Sequence, residues 1–385
     1  MGVCATPCRH HPLSEKYPSV EQEKHIPNLQ KFIEQLAEGL TTVFPNNQAT
    51  YHRVHALLIT WGPNDDLRTS IEIGELRDLF QKTYHFTTEH FIIPPERSEQ
   101  KLLKKIVNTW DEHADARDLL IVYYGGHGII KSGKNIWQAW KEKPSSATTE
   151  RVITPELDWS EAQRSLMKAD GDVLFIMDCC YATFTSKIEP KGGTKELLAA
   201  TTFKQKAAGS HENSFTRALI RELKQINGAP YTATMIHERL LNHHKEYDIA
   251  VPQYVALHRT LNSRSIILVP QNVTLAINPP PEIVEPNPLI RQPKLMTDYR
   301  ILISVAFVNP YETPDLIQWN EWFRKAAPRN IQDVKLSIEE YIRPEGAWES
   351  MSTYYLFSMP VSVWNSLPLN PAYSMLAIIK SDNLL

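Results

Sequence analysis

Two stretches decide the fold: Asp118-Leu-Leu-Ile-Val-Tyr-Tyr-Gly-Gly-His-Gly128 and Asp172-Val-Leu-Phe-Ile-Met-Asp-Cys-Cys-Tyr-Ala182. Each is an unbroken apolar run of strand length that ends in a turn bearing a reactive side chain. A run with no polar alternation suits a strand covered on both faces, as in parallel sheets. Functional groups of open parallel sheets gather past the carboxyl ends of the strands. The two stretches therefore predict His127 and Cys180 at the same end of one sheet.

Outward from these runs, apolar strands alternate with amphipathic helices. Strands are predicted at His55–Trp61, Phe91–Ile93, Glu196–Ala200 and, as the closing strand, Ser265–Val269. Between them fall a helix carrying Ile71, Leu76, Leu79 and Phe80, and helices near 99–114, 160–167, 214–225 and 234–244. This is an α/β pattern, a mostly parallel sheet sandwiched by helices, over residues 51–270. A helix from Val20 to Val43 precedes it, with Ser19 as N-cap and Pro27 set to kink the helix or delay its start. Residues 1–18, with three prolines, read as a flexible tail, and 19–50 as an N-terminal helix. Residues 271–298 are a proline-rich linker, since six prolines between 279 and 293 forbid a helix. Beyond it, 299–385 reads β-α-β-β-α-β, a ferredoxin-like α+β domain, with a helix at 315–325 and a second strand at 334–342. That domain holds no cysteine or histidine, so nucleophilic and metal chemistry are not expected there.

The 385 residues carry 41 Lys+Arg against 44 Asp+Glu, a net charge of −3. That balance offers no basic excess for nucleic-acid phosphates. No apolar run approaches the ~20 residues of a spanning helix, and the first residues lack a signal-peptide stretch. No repeat is visible. A cytoplasmic protein is expected, and its four cysteines do not make a disulfide framework. They form two close pairs, Cys4 with Cys8 and Cys179 with Cys180.

A thiolate attacks carbonyls, and a nearby imidazole raises its fraction and passes a proton to the leaving amine. Backbone amides can hold the oxyanion, and Gly128 and Cys180 are placed to supply them. His127 lies 53 residues before Cys180, within the spacing of one group of cysteine peptidases. Each residue alone reads most simply as loop or core, and only the pair in this order points to catalysis.

At these residues the chain resembles the caspase and metacaspase superfamily of cysteine peptidases. Tyr123-Tyr-Gly-Gly-His-Gly128 is similar to the metacaspase histidine turn, Tyr-Ser-Gly-His-Gly, and Asp178-Cys179-Cys180 to its nucleophile turn, Asp-Xaa-Cys-His-Ser-Gly. The resemblance runs from His55 to Val269. Glu196-Leu-Leu-Ala-Ala200 with Asn213-Ser-Phe-Thr-Arg-Ala-Leu-Ile220 resembles the small-subunit half of caspase-like proteins of filamentous fungi. It implies Cys180 as nucleophile, His127 as general base and acid, and Cys179 as a neighbour. It also implies a protein or peptide substrate and a place in regulated proteolysis or cell-death signalling.

Asp178, Gly125 and Arg68 are the substrate-pocket candidates. Asp178 matches one acidic position with which metacaspases select Lys or Arg, and Glu72 or Ile73 stands near the other. Arg68 lies where caspases place the arginine that selects acidic residues, so the two preferences stay open. Gly125 replaces the usual serine, and Tyr181-Ala182 replaces His-Ser. No cofactor or metal is expected; the calcium activation of many metacaspases finds no recognisable ligand set here.

Met1-Gly2-Val3-Cys4-Ala5-Thr6 fits N-myristoylation on Gly2, with Cys4 or Cys8 able to add a palmitoyl chain and anchor the tail to a membrane. Cys4, Cys8, His10 and His11 have metal-ligand types but no second ligand pair. The polar loop Tyr181–Thr194, with Lys187 and Lys191, is a candidate activation cut, and the C-terminal domain a candidate partner surface. The competing expectation is a non-catalytic caspase-fold interaction module. A phosphate-binding reading of the glycines fails for want of a P-loop lysine.

Overall fold

The computed structural model describes residues 25–43, 51–62, 70–113, 115–140, 154–183, 190–200, 213–258, 265–271, 299–308, 343–348, 353–368 and 370–380. The elements in chain order are α1 (Leu29–Val43), β1 (Arg53–Trp61), α2 (Ser70–Lys82), β2 (Thr87–Ile93), α3 (Ser98–His113), β3 (Asp118–Gly125), β4 (His127–Lys131) and β5 (Lys134–Gln138). They continue with β6 (Glu156–Asp158), α4 (Ser160–Leu166), β7 (Asp172–Asp178), β8 (Lys195–Ala199), α5 (Phe215–Ile226), β9 (Tyr231–Thr232), α6 (Ala233–His243), β10 (Gln253–His258) and β11 (Ile267–Leu268). The last described elements are β12 (Tyr299–Phe307), β13 (Arg343–Trp348), β14 (Thr353–Pro360), α7 (Val361–Ser366) and β15 (Tyr373–Lys380).

These residues fall into two compact units. The larger runs from Glu38 to Tyr299 and includes α7; its centre is a sheet ordered β10-β8-β7-β3-β1-β2. All its pairs are parallel except β10 on β8. Alternate residues of each strand enter opposite cores. Val54, Ala56 and Leu58 of β1 with Leu119, Ile121 and Tyr123 of β3 pack toward α2, α5 and α6. Leu57, Ile59 and Trp61 with Leu120, Val122 and Tyr124 pack toward α3 and α4. Burial on both faces is why these strands show no polar alternation.

The sheet closes differently from expectation. Ser265–Val269 contributes only β11, which pairs with β9 outside the main sheet, and the closing strand is β10. Its residues are all half-exposed at the sheet edge, with Gln253 and His258 at its ends, so it carries no long apolar run. The small sheet β4-β5-β6 was also not expected; its strands are three to five residues long, too short for a periodic signal. Ile71, expected on the apolar face of α2, is 64% exposed.

In the smaller unit the strands lie in the order β13-β14-β12-β15. Numbered among the described strands of the unit this is 2-3-1-4, the ferredoxin-like order. Among the described residues the second strand is Arg343–Trp348; the expected helix at 315–325 and strand at 334–342 lie outside the described residues. Helix α1 begins at Leu29, not Val20, because Pro27 blocks an earlier start and Ile26 instead bridges to Phe307. The side chain of Asn28 caps it, accepting from the Lys31 amide at 2.8 Å. Its apolar stripe to Ala37 belongs to this unit: Phe32 meets Phe307, Phe357 and Tyr373 at ring-centroid distances of 6.2, 4.7 and 5.7 Å.

Candidate functional site

Strands β3 and β7 are neighbours, and their last residues, Gly125 and Asp178, pair directly. The two turns therefore leave the sheet side by side, each carrying its reactive residue two positions past the pair. The Gly126 amide donates to the Asp178 carbonyl at 3.2 Å and ties the turns together. A Cβ on Gly128 would lie 2.3 Å from the backbone oxygen of Cys180 and 3.4 Å from Cys179 Sγ. The backbone after His127 thus lies against the backbone of Cys180. The next residue, Tyr181, is left-handed, with φ +58°. This conformation is uncommon for a bulky side chain and turns the chain away just after Cys180.

Strand alternation separates the two cysteines. Cys179 points into the apolar core under α3 and α4, 1% exposed. Burial, the Asp178 carboxyl and the neighbouring Cys180 push its thiol well above the usual range. Cys180 is also buried, 6% exposed, but does not belong to that core. His127 opens β4, which the hairpin partner β5 holds in register, His127 opposite Gln138 and Gly128 opposite Trp137.

Asp178 is engaged at the N-terminus of α5. Its Oδ2 accepts from the Thr216 amide at 3.0 Å and from Thr216 Oγ1 at 2.6 Å. With the Thr216 proton committed to Asp178, Tyr123 donates to Thr216 Oγ1 across 2.7 Å. Burial raises the Asp178 carboxyl, and the two Thr216 bonds oppose the rise. This network fixes the end of β7 to α5, and α5 is in turn anchored by buried Glu222. That carboxylate accepts from Arg239 at 2.6 Å and Tyr247 at 2.7 Å, with His243 Nδ1 at 2.5 Å. Gly125 makes room for the same network, since a Cβ there would stand 2.5 Å from the Tyr123 hydroxyl. A serine at 125 would displace Tyr123, which accounts for the departure from Tyr-Ser-Gly-His-Gly.

Beside Asp178 the structure puts Glu72, while Ile73 turns into the core. Ser214, the N-cap of α5, donates to Glu72 Oε1 at 2.8 Å, and Arg217 Nε stands 3.7 Å from the same atom. Burial, with Asp178 adding to it, pushes Glu72 up to about 7. Glu72 titrates near 4.5 when solvated and near 7 in the fold, so the folded state binds the extra proton between those values. The stability this gives is complete below about pH 4.5 and is lost as the pH rises through about 7. Urea unfolding at pH 5 and pH 8 is expected to show a loss on the order of 1–3 kcal/mol at the higher pH, and Glu72→Gln to abolish the Glu72 share of it.

Arg68, Gly2, Cys4, Cys8, His10, His11 and Lys187 lie outside the described residues. Lys191 donates its amide to the Met167 carbonyl at 3.0 Å. Among the described residues no group of three or more His, Cys, Asp or Glu side chains is placed to hold a metal, and no helix is long and apolar enough to cross a membrane. Sequence reasoning passed over Tyr123, Tyr124, Trp61 and Thr216. The doubled tyrosine before the doubled glycine was the available signal, because each ring folds back over the glycine two residues on.

A family model described as the caspase domain matches residues 53–255. A search of curated proteins found no match. Among solved structures, the chain is similar to caspase-1 from Spodoptera frugiperda, at 15% identity and TM-score 0.38 over 57% of this chain and 96% of that one. It is also similar to a protein of Geobacter sulfurreducens, at 14% identity and TM-score 0.34 over 53% of this chain and 92% of that one.

Proposed function

The chain belongs to the caspase-domain family, and from that premise we propose that it is a cysteine endopeptidase with Cys180 as nucleophile and His127 as general base and acid. The observation that carries the reading is the contact of the two turns, with Gly128 against the Cys180 backbone while Cys179 is sealed in the core. The Cys180 thiolate attacks the scissile carbonyl carbon, and the carbonyl electrons move onto oxygen, where the amides of Gly128 and Cys180 receive the charge. The oxyanion collapses, the C–N bond breaks, and His127 gives its proton to the leaving amine. Water, deprotonated by His127, then cleaves the thioester and restores the thiol.

Glu72 and Asp178 side by side near this turn support a preference for a basic residue before the scissile bond. The expected setting is regulated proteolysis or cell-death signalling in the cytoplasm, with acylation at Gly2 and Cys4 bringing the chain to membranes. The C-terminal segment 299–385, without cysteine or histidine, fits partner binding or restraint of the peptidase. The test is a positional-scanning peptide library combined with an electrophilic thiol probe across a calcium series. Cleavage after Lys or Arg, with the probe on Cys180, is the expected result. Neither cleavage nor labelling at any calcium concentration overturns the reading in favour of a non-catalytic caspase-fold interaction module.

A further inference from the structure

Under the His127 turn, on the face opposite α5, Tyr124 is fully buried. Its ring stacks on Trp137 at 3.6 Å and 1°, and Trp137 stacks on Trp159 at 4.1 Å and 14°. Its hydroxyl accepts from Trp61 Nε1 at 3.0 Å and donates to the His127 carbonyl at 2.9 Å. The stack fixes where the phenol oxygen stands. The indole takes a lone pair of the phenol oxygen and the His127 carbonyl takes its proton, so the two bonds use different parts of the hydroxyl. Gly126 is the space this requires, since a Cβ there would meet the hydroxyl at 2.5 Å and the ring carbon bearing it at 2.7 Å.

The carbonyl that Tyr124 holds belongs to the peptide whose N–H is that of Gly128. In a planar trans peptide the two bonds point in opposite directions, so fixing one aims the other. We propose that Tyr124 is a positioning residue: its phenol clamps the His127–Gly128 peptide and so aims the Gly128 N–H at the oxyanion of the acyl-transfer step. The inference rests on the reading of Cys180 as nucleophile and adds to it a residue that touches neither the substrate nor the reacting atoms.

Tyr124→Phe keeps the stacked ring and removes only the hydroxyl. Its kcat is expected to fall about 10- to 100-fold on the best library peptide, with KM within about twofold. The rate at which iodoacetamide alkylates Cys180, which reads the thiolate and not the oxyanion, should stay within about twofold. Trp61→Phe removes the same indole–phenol bond but leaves the phenol on the carbonyl. It should show a comparable fall in Tm while keeping kcat within about threefold. Gly126→Ala pushes the phenol from its seat and should repeat the kcat loss, which keeps the test open if Tyr124→Phe does not fold.

An unchanged kcat in Tyr124→Phe, beside an active wild type, overturns this inference alone. So does a parallel fall in kcat and alkylation, which would place the phenol's effect on the Cys–His pair or the general fold. A wild type that cleaves no peptide overturns the endopeptidase reading, and this inference with it.

Discussion

Cys180→Ala is expected to abolish peptide cleavage, a fall of about 10⁴-fold or more in kcat, while Cys179→Ala keeps activity within about tenfold. The two thiols are adjacent in sequence, so the contrast depends on where successive side chains point just past the end of β7. Cys179 continues the Val173, Phe175, Met177 face into the apolar core. There burial and the nearby Asp178 hold its thiol protonated. A thiol in that state is a poor nucleophile, and its sulfur fills core volume. Cys179→Ala should therefore act mainly on stability, by about 1–2 kcal/mol through the cavity it leaves. Cleavage of the preferred peptide, mass-mapped probe labelling and thermal melting of both variants decide the matter. Full activity in Cys180→Ala with loss in Cys179→Ala would exchange the two roles.

Gly128→Ala should also damage activity, by a different route. The added Cβ would stand 2.3 Å from the carbonyl oxygen of Cys180, a backbone atom, and is itself fixed rigidly to its own backbone. No flexible side chain can swing aside, so one of the two turns must move by about 1 Å. Reaction geometry is unforgiving at that scale, and a displacement of about 1 Å costs on the order of 10² in rate. We expect kcat/KM at least about 100-fold lower, together with about 1–3 kcal/mol of lost stability. Gly74→Ala is the matching control. It lies in α2 with nothing within 4 Å of its Cβ, and should leave activity unchanged while gaining up to about 1 kcal/mol from helix propensity. Equal activity of Gly128→Ala and wild type would show that the turns do not act as one unit.

Much of this arrangement can be read from residues. Leu119–Tyr124 and Val173–Met177 announce buried parallel strands because both faces of each strand meet apolar cores. Ser214 announces the start of α5, which its side chain caps by accepting from the Arg217 amide. Short or edge elements are different. Neither β4-β5-β6 nor β10 has the length or the burial that makes a pattern, because their stability comes from partners distant in sequence. The N-terminal helix shows the same limit. Its stripe was legible, but the surface it covers, formed by Phe307, Phe357 and Tyr373, lies more than 260 residues further along the chain.

The candidate site divides along the same line. Sequence by itself determined that His127 and Cys180 end neighbouring kinds of strand, because apolar length and turn chemistry are local properties of the chain. Only the tertiary structure decided which of the two buried cysteines joins the apolar core under α3 and α4, since that depends on how the chain leaves β7 once the helices have packed. It also decided that Glu72, and not Ile73, stands beside Asp178, and that Gly125 and Gly126 are seats for the hydroxyls of Tyr123 and Tyr124. These are contacts among residues brought together from different elements, set by close packing in three dimensions, and no spacing along the chain encodes them.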